Sequence, residues 1–570
     1  MEKPIADLHC HPSLKPHLNP EIGSIWDYAE NPTVDSVFRL VSIRKLVLRF
    51  ATTNLALKTQ SNLDSCYLGG NRLLFCSIYP FEREFLRPDR PFKRASALLR
   101  WTLQLLLKRR YKKKIDIKLL RLITGISAEE AGAFLDQIHT DGGHVNYMED
   151  YLREYNYLIA AQGPRPKGAL ESSGAAIPEF KLVREFPQLP NPLNTSRLTG
   201  IITVEGVHGF GKYKLDDLRR KNSFEELSDA AQSDLRDSFR QNLLVVKDPR
   251  QTEFPPFFAT FTHHFHNFLG GHAQSFGGLF QRVFNQQPGR KAGFSALGRE
   301  VLELLLERGP NRARILIDTK HMAAELRKEF YAFIRKRRQQ GDAIPIVSSH
   351  SAVNALPNLD AAISNNNSSS TDKRSYVSKF AINLTDEDIR ETFDSDGLMG
   401  ICMHDGRMPG KKFKRKLRAV RAYPEKAKRL YSQMFLTNVL QVVRVIASRI
   451  REQNPSAAET ELQRAWDHVC LGSDNDGIVD PFNTYETAAD LQDFRAKIVE
   501  ALQTQDRPYM KDFRILSLPE EEPMPARLLS ELMAGLSAEQ VADRLFYGNT
   551  REFLRKYFTR EYLYNLGPVV

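Results

Sequence analysis

The stretch PIADLHCHPS, residues 4–13, carries the reading on which the fold turns. An apolar run ends there in two histidines, His9 and His11, one residue apart. In a strand, residues i and i+2 face the same side, so both imidazoles would leave one strand end together. Seven further short runs share this plan: RLLFCSIYP (72–80), GIITVEG (200–206), FFATFTH (257–263), ARILIDTKH (313–321), IPIVSSH (344–350), GLMGICMHD (397–405) and HVCLGSDND (468–476). Helical patterns lie between several of them, such as ALGREVLELLLERG (296–309) and AAELRKEFYAFIRKRRQQG (323–341). Strands alternating with helices predict parallel pairing. Eight such units predict a (β/α)8 TIM-like barrel carrying large, mostly helical insertions. An open doubly wound sheet is the competing arrangement, but no glycine-rich phosphate turn follows an early strand.

Most of the runs end in a residue that can bind metal or move protons: His9 and His11, Glu205, His263, His321, His350 and Asp474. The C-terminal strand ends of a barrel converge on one face, so these groups are expected to meet. Neutral imidazole suits zinc. Glu205, between a His9/His11 site and a His321/His350 site, would bridge two divalent ions, zinc first among them, ~3.5–4 Å apart. Such a centre traps a hydroxide and polarises a carbonyl. Asp474, in GSDND, is placed as general base and acid, with Asp476 the lesser substitute. His263, in FTHHFHN, is placed to hydrogen-bond the substrate or a developing oxyanion, ahead of His264 and His266. Cys10 sits between two ligands but should point away from them. His404 and Asp405 read as structural, and His208 as support for the ligands.

At 570 residues the chain has room for a barrel with insertions. Its five cysteines are odd in number and lack CxxC spacing, which reads as reduced, mostly packed thiols. No run approaches the ~20 apolar residues of a membrane span. The start MEKPIADLHC has no basic segment followed by an apolar one, so a cytoplasmic protein is expected. The net charge of +12 is concentrated: eleven Lys/Arg face the single Asp116 between Lys93 and Arg121, and KKFKRKLRAVR occupies 411–421. Charge this local makes nucleic acid an unexpected partner. A solvated helix packing its leucines inward is the favoured reading of the first run, and contact with a membrane surface the lesser one.

Five segments follow. Residues 1–34 start the barrel, and 35–195 form a largely helical, basic insertion with a barrel strand near 72–80. Residues 196–407 hold the barrel core, 408–465 a helical insertion, and 466–570 the last strand and closing helices. The linker AAQGPRPKGALESSGAAIPEF and the polar stretch NNNSSSTDK (365–373) read as loops. The insertions are expected to act as a lid or a homodimer contact near the barrel mouth.

Taken in order, DLHCH, VEGVH, TFTHHFHN, SALGREVLELLLERG, LIDTKHMA, PIVSSHSA and HVCLGSDNDG resemble the motifs of the membrane (renal) dipeptidase family of the amidohydrolase superfamily. LLSELMAGLSAEQVADRLFYGNTREFLRKYF, with its Gly548-Asn549 pair, is similar to that family's closing helices. The resemblance covers residues 1–12 and most of 198–405 and 466–560. It implies a TIM-like barrel, two zinc ions bridged by Glu205, His263 in substrate binding and Asp474 in proton transfer. The chain departs from the family at His11, where members usually carry aspartate. The family's carboxylate-binding arginine and tyrosine have no match in place; Lys379, Arg374 and Arg407 are the candidates to replace the arginine. The expected activity is that of a binuclear metallohydrolase of this type, opening a dipeptide-like amide bond by attack of a metal-bridging hydroxide. The alternatives are an amidohydrolase acting on a lactone, cyclic amide or phosphoester, and a non-catalytic metal-barrel scaffold.

Overall fold

Eight strands form one parallel sheet that closes on itself: β1 (Ile5–Cys10), β2 (Asn71–Ile78), β3 (Arg197–Glu205), β4 (Phe258–Thr260), β5 (Leu316–Asp318), β6 (Val347–Ser351), β7 (Leu398–Ile401) and β8 (Val469–Leu471). Each pairs with the next in chain order, always in parallel. The seam is closed just beyond β8, where Asp474 N–H donates to His9 O and His11 N–H to Asn475 O, both at 2.9 Å. The chain is a (β/α)8 barrel, and all eight strands overlap the runs that predicted them. This computed structural model describes residues 3–29, 58–86, 124–140, 143–166, 177–191, 196–276, 284–365, 375–420, 422–503, 514–515, 522–524 and 526–566. The basic run 93–121, Arg374 and nearly all of the polar stretch 365–373 lie outside the described residues.

The strands read as apolar runs because both of their faces are covered. β1 and β2 are buried at every position. A further strand, Glu179–Leu182, pairs in parallel with the first half of β3, from Glu179 opposite Arg197 to Leu182 opposite Gly200. The outer layer is helical. Ala296–Leu306 is started by Ser295, whose hydroxyl accepts from Gly298 N–H at 2.9 Å, and it buries Leu297, Val301, Leu302 and Leu305 on one stripe. Ala324–Gln339 buries Leu326, Phe330 and Ile334 in the same way. Pro424–Gln453 is a single 30-residue helix opened by proline at its first turn. In the helix Lys411–Val420 only Phe413 is buried, which leaves the second basic run on the surface.

Close packing inside the barrel is visible at Gly472: a Cβ there would lie 1.9 Å from Ser349 O, so only glycine lets β8 pass β6. Asn549, from the closing helices, donates through Nδ2 to Trp466 O at 2.5 Å and Val469 O at 2.7 Å, and thereby clamps the start of β8. All five cysteines are free and buried, and the Cys10 thiol turns to Phe75 O, away from the imidazoles. Among the described residues no helix is long and apolar enough to cross a membrane.

Candidate metal centre

Strand geometry delivers the predicted groups to one buried cluster at the C-terminal mouth. β1 contributes His9 and His11, whose Nε2 atoms stand 3.0 Å apart. β3 ends on Glu205, and the chain leaves at once through Gly206 with φ +102, where a Cβ would meet the His208 ring at 2.2 Å. β6 carries His350. His321 follows β5, and Asp474 follows β8, with φ of 67 and 64. Few residues other than glycine sit in that left-handed region, and such conformations concentrate at functional sites.

Glu205 is the hub. Its Oε2 lies 3.1 Å from His11 Nε2, and its Oε1 lies 3.3 Å from His263 Nε2, 3.5 Å from both His9 and His350 Nε2, and 3.6 Å from His321 Nε2. The Nε2 atoms of His321 and His350 are 3.4 Å apart. Asp474 Oδ1 lies 3.9 and 4.0 Å from His9 and His11 Nε2, and its Oδ2 lies 3.8 Å from His350 Nε2. Two nitrogens bound at ~2.0–2.1 Å to a tetrahedral ion stand roughly 3.3 Å apart. The His9/His11 and His321/His350 pairs bracket that spacing. The donor set, imidazole nitrogen with one shared carboxylate, suits zinc and similar divalent ions, so these residues fit a metal pair.

Hydrogen bonding fixes which nitrogen His350 offers. Ser349 Oγ donates to Asp318 Oδ2 at 2.5 Å, so its lone pair receives His350 Nδ1–H at 2.8 Å, leaving Nε2 free to ligate. Asp318 also accepts from Thr260 Oγ1 and from the Ser349 and Lys320 amides. Beneath β1, Asp7 accepts from Ser473 N–H and Oγ, fixing the start of the Asp474 loop.

Burial holds His9, His321 and His350 below the usual imidazole range, which keeps them neutral, the ligating form. Burial opposes ionisation of Glu205 as well, but His263, His11 and His9 overcome it and hold the carboxyl well below its usual range. His263 is the counterpart: despite burial, Glu205 and Glu82 raise it to about 10. Asp474 moves the other way, pushed up to about 8 by burial and by the Glu205 charge. That places its proton exchange near neutrality, as an acid–base group requires.

Glu82 is the site residue that sequence reading missed. Its Oε2 receives His263 Nδ1 at 2.7 Å and Tyr79 OH at 3.0 Å, and its Oε1 receives Phe265 N–H at 2.9 Å. The signal was present in YPFERE, a charged residue just beyond the second apolar run. His264 sits beside His263 and His321 in a group able to hold a metal, with its Nδ1 2.7 Å from Ser275 Oγ. His208 and His272 hold the carbonyls of Pro80 and Pro288, at 2.8 and 2.9 Å. Asp476 is consumed structurally, by Lys15 Nζ at 2.7 Å and by the Gln60 and Ser61 amides. Removing one partner of a buried ion pair strands the other charge. Lys15→Met should therefore destabilise the protein by about 3 kcal/mol, read from the midpoint of urea unfolding; a midpoint equal to wild type would refute the pairing.

The molecule thus belongs to the barrels that carry a buried imidazole–carboxylate cluster at the strand ends. No protein-family model matches the chain, and no curated protein does. Among solved structures it is similar to a dipeptidase described as a metallopeptidase of family M19, with 14% identity, 97% of this chain and 98% of that one covered, and a TM-score of 0.42. It is also similar to a metallopeptidase from Rhodobacter sphaeroides bound to a phosphinate mimic of L-Ala-D-Ala, with 13% identity, coverages of 97% and 99%, and a TM-score of 0.44. An amidohydrolase from Pseudomonas aeruginosa aligns at 11% identity, with coverages of 66% and 78% and a TM-score of 0.28.

Proposed function

We propose that the chain is a binuclear metal-dependent hydrolase of the membrane dipeptidase type that cleaves a dipeptide-like amide bond. The observation that carries this reading is the convergence of four strand-end imidazoles, in two pairs, on the two oxygens of Glu205 with Asp474 alongside. Two divalent ions bound there, zinc first among candidates, would supply an activated water and a Lewis acid. Everything else is done by side chains of this protein. His9 with His11, and His321 with His350, would hold the ions, and Glu205 would bridge them. Asp474 accepts a proton from the attacking water and returns it to the leaving amine. His263, fixed by Glu82, presents Nε2 toward the reacting centre, where a protonated imidazole steadies a developing oxyanion.

The test is metal content by elemental analysis of the purified protein, followed by a screen of dipeptides, N-acyl amino acids, lactones and phosphoesters on the metal-loaded protein. About two ions per chain with turnover of an amide is the expected result. Failure to retain metal after reconstitution would sink the reading, and turnover confined to lactones or phosphoesters would move the substrate class.

A further inference from the structure

Glu154 is fully buried on the helix Tyr147–Ala160, which lies in the connection between β2 and β3. Its carboxylate reaches the two turns that leave β1 and β2. Oε1 accepts from Ser13 Oγ at 2.6 Å, and Oε2 accepts from Tyr79 N–H at 2.9 Å. Ser13 stands two residues beyond His11, and Tyr79 is the first residue beyond β2. Tyr79 in turn donates its hydroxyl to Glu82 Oε2 at 3.0 Å, the oxygen that holds His263 Nδ1. The Tyr79 ring stands edge-on to both imidazoles, with centroids 4.8 Å from His263 and 6.3 Å from His11. One carboxylate therefore ties together the supports of His11 and His263.

Burying a carboxylate without a cation is costly. Among the described residues no Lys or Arg is ion-paired with Glu154: the neighbouring Arg153 goes to Glu130 at 2.9 Å and to Asp150 at 3.8 Å. A leucine there would pack without that cost, so packing of the helix does not explain the residue. Its companions on the helix do. Tyr147, Asp150 and Glu154 are spaced i, i+3, i+7 along one face, and all three grip the turn after β2. Tyr147 Oη accepts from Arg83 N–H at 3.0 Å, and Asp150 Oδ2 lies 2.8 Å from Arg83 Nη2. His11 needs support of this kind. It lies just past the end of β1, and among the described residues its Nδ1 has no hydrogen-bond partner, whereas His350 Nδ1 is fixed by Ser349. The His11 ring is therefore aimed by its backbone, which Asn475 O holds on one side and the Ser13–Glu154 bond on the other.

We propose that Glu154 is a positioning residue of the candidate metal centre: through Ser13 it aims His11 at Glu205, and through Tyr79 and Glu82 it aims His263. The role given to His11 rests on the hydrolase reading, and the bracing rests on geometry alone. The helix Tyr147–Ala160 is then a wall of the site and not a lid over it.

The variants Glu154→Leu, Glu154→Gln, Ser13→Ala and the double Glu154→Leu/Ser13→Ala test this by two readouts: competition for Zn2+ with a chromophoric chelator, and crystal structures of the metal-free full chain. Glu154→Leu should weaken one of the two ions about 10–100-fold and leave the other near wild type, because His321 and His350 do not depend on this bridge. Ser13→Ala should weaken the same ion, and the double variant should be no worse than Glu154→Leu, since both substitutions break one bond. The Glu154→Gln amide can accept from Tyr79 N–H and donate to Ser13 Oγ, so it should keep most of the affinity. Without metal, the His11 ring should move by more than about 0.5 Å in Glu154→Leu and in Ser13→Ala, the His263 ring only in Glu154→Leu, and His321 and His350 in neither. Wild-type affinity in Glu154→Leu, equal weakening of both ions, or an additive double variant would overturn the proposal. So would a Glu154→Gln variant as weak as Glu154→Leu, which assigns the effect to charge and not to position. If wild type holds no metal, the hydrolase reading fails and the ring positions alone decide: unmoved His11 and His263 rings overturn the bracing. Where Glu154→Leu does not fold, Ser13→Ala carries the same comparison for His11.

Discussion

Asp474→Asn should lower turnover by about 10²–10⁴-fold with metal content unchanged. The carboxyl stands 3.8–4.0 Å from three imidazoles but is not the hub on which they converge, so its removal should leave the ligand set intact. On the proposed mechanism, what would be lost is the group that takes a proton and gives it back. The same substitution has a stability signature in metal-free protein. The Asp474 carboxyl is raised to about 8 in the folded state by burial and by Glu205. The folded form therefore keeps a proton that the unfolded form releases from near pH 4 upward, and wild-type stability drains away as pH rises from there through about 8. Asparagine carries no such penalty. The variant should gain about 1–3 °C in Tm over wild type above pH 8, with the gain vanishing near pH 4. A gain confined to acid pH would reverse the sign and exclude a raised Asp474, while full turnover would exclude it from proton transfer.

Glu205→Ala should empty the centre. One carboxylate stands within 3.6 Å of five imidazoles, and no other described carboxylate reaches both histidine pairs so closely. On the proposed reading, losing it would remove the carboxylate shared by both ions. Substitution of groups that merely orient ligands weakens metal binding by about 10–100-fold, so loss of the shared ligand itself should weaken it by about 100-fold or more. Competition with a chromophoric chelator would measure this, and retention of two ions by the variant would exclude the bridge. Glu205→Asp, which keeps the charge but shortens its reach, should fall between.

Much of this architecture was legible in one dimension. Strand runs are local properties: RLLFCSIYP and IPIVSSH are too short for helices and too apolar for loops, and a strand buried on both faces must read that way. Once eight such runs alternate with helical patterns, a parallel barrel follows, and a barrel brings its strand ends to one face. That is why His9, His11, Glu205, His321, His350 and Asp474 were named before any distance was known. Even the outward turn of Cys10 follows from the period of a strand.

The tertiary structure alone decided which groups meet in pairs. Glu82 and His263 are 181 residues apart, and nothing local to YPFERE announces an imidazole partner. Asp476 looks equivalent to Asp474 in GSDND, yet Lys15 and two amides from residues 60 and 61 consume it while Asp474 stays beside the cluster. The physical reason is the same in each case. Secondary structure and its periodicity are set by neighbours in the chain, whereas the charge state and free valence of a buried side chain are set by whatever long-range packing places against it.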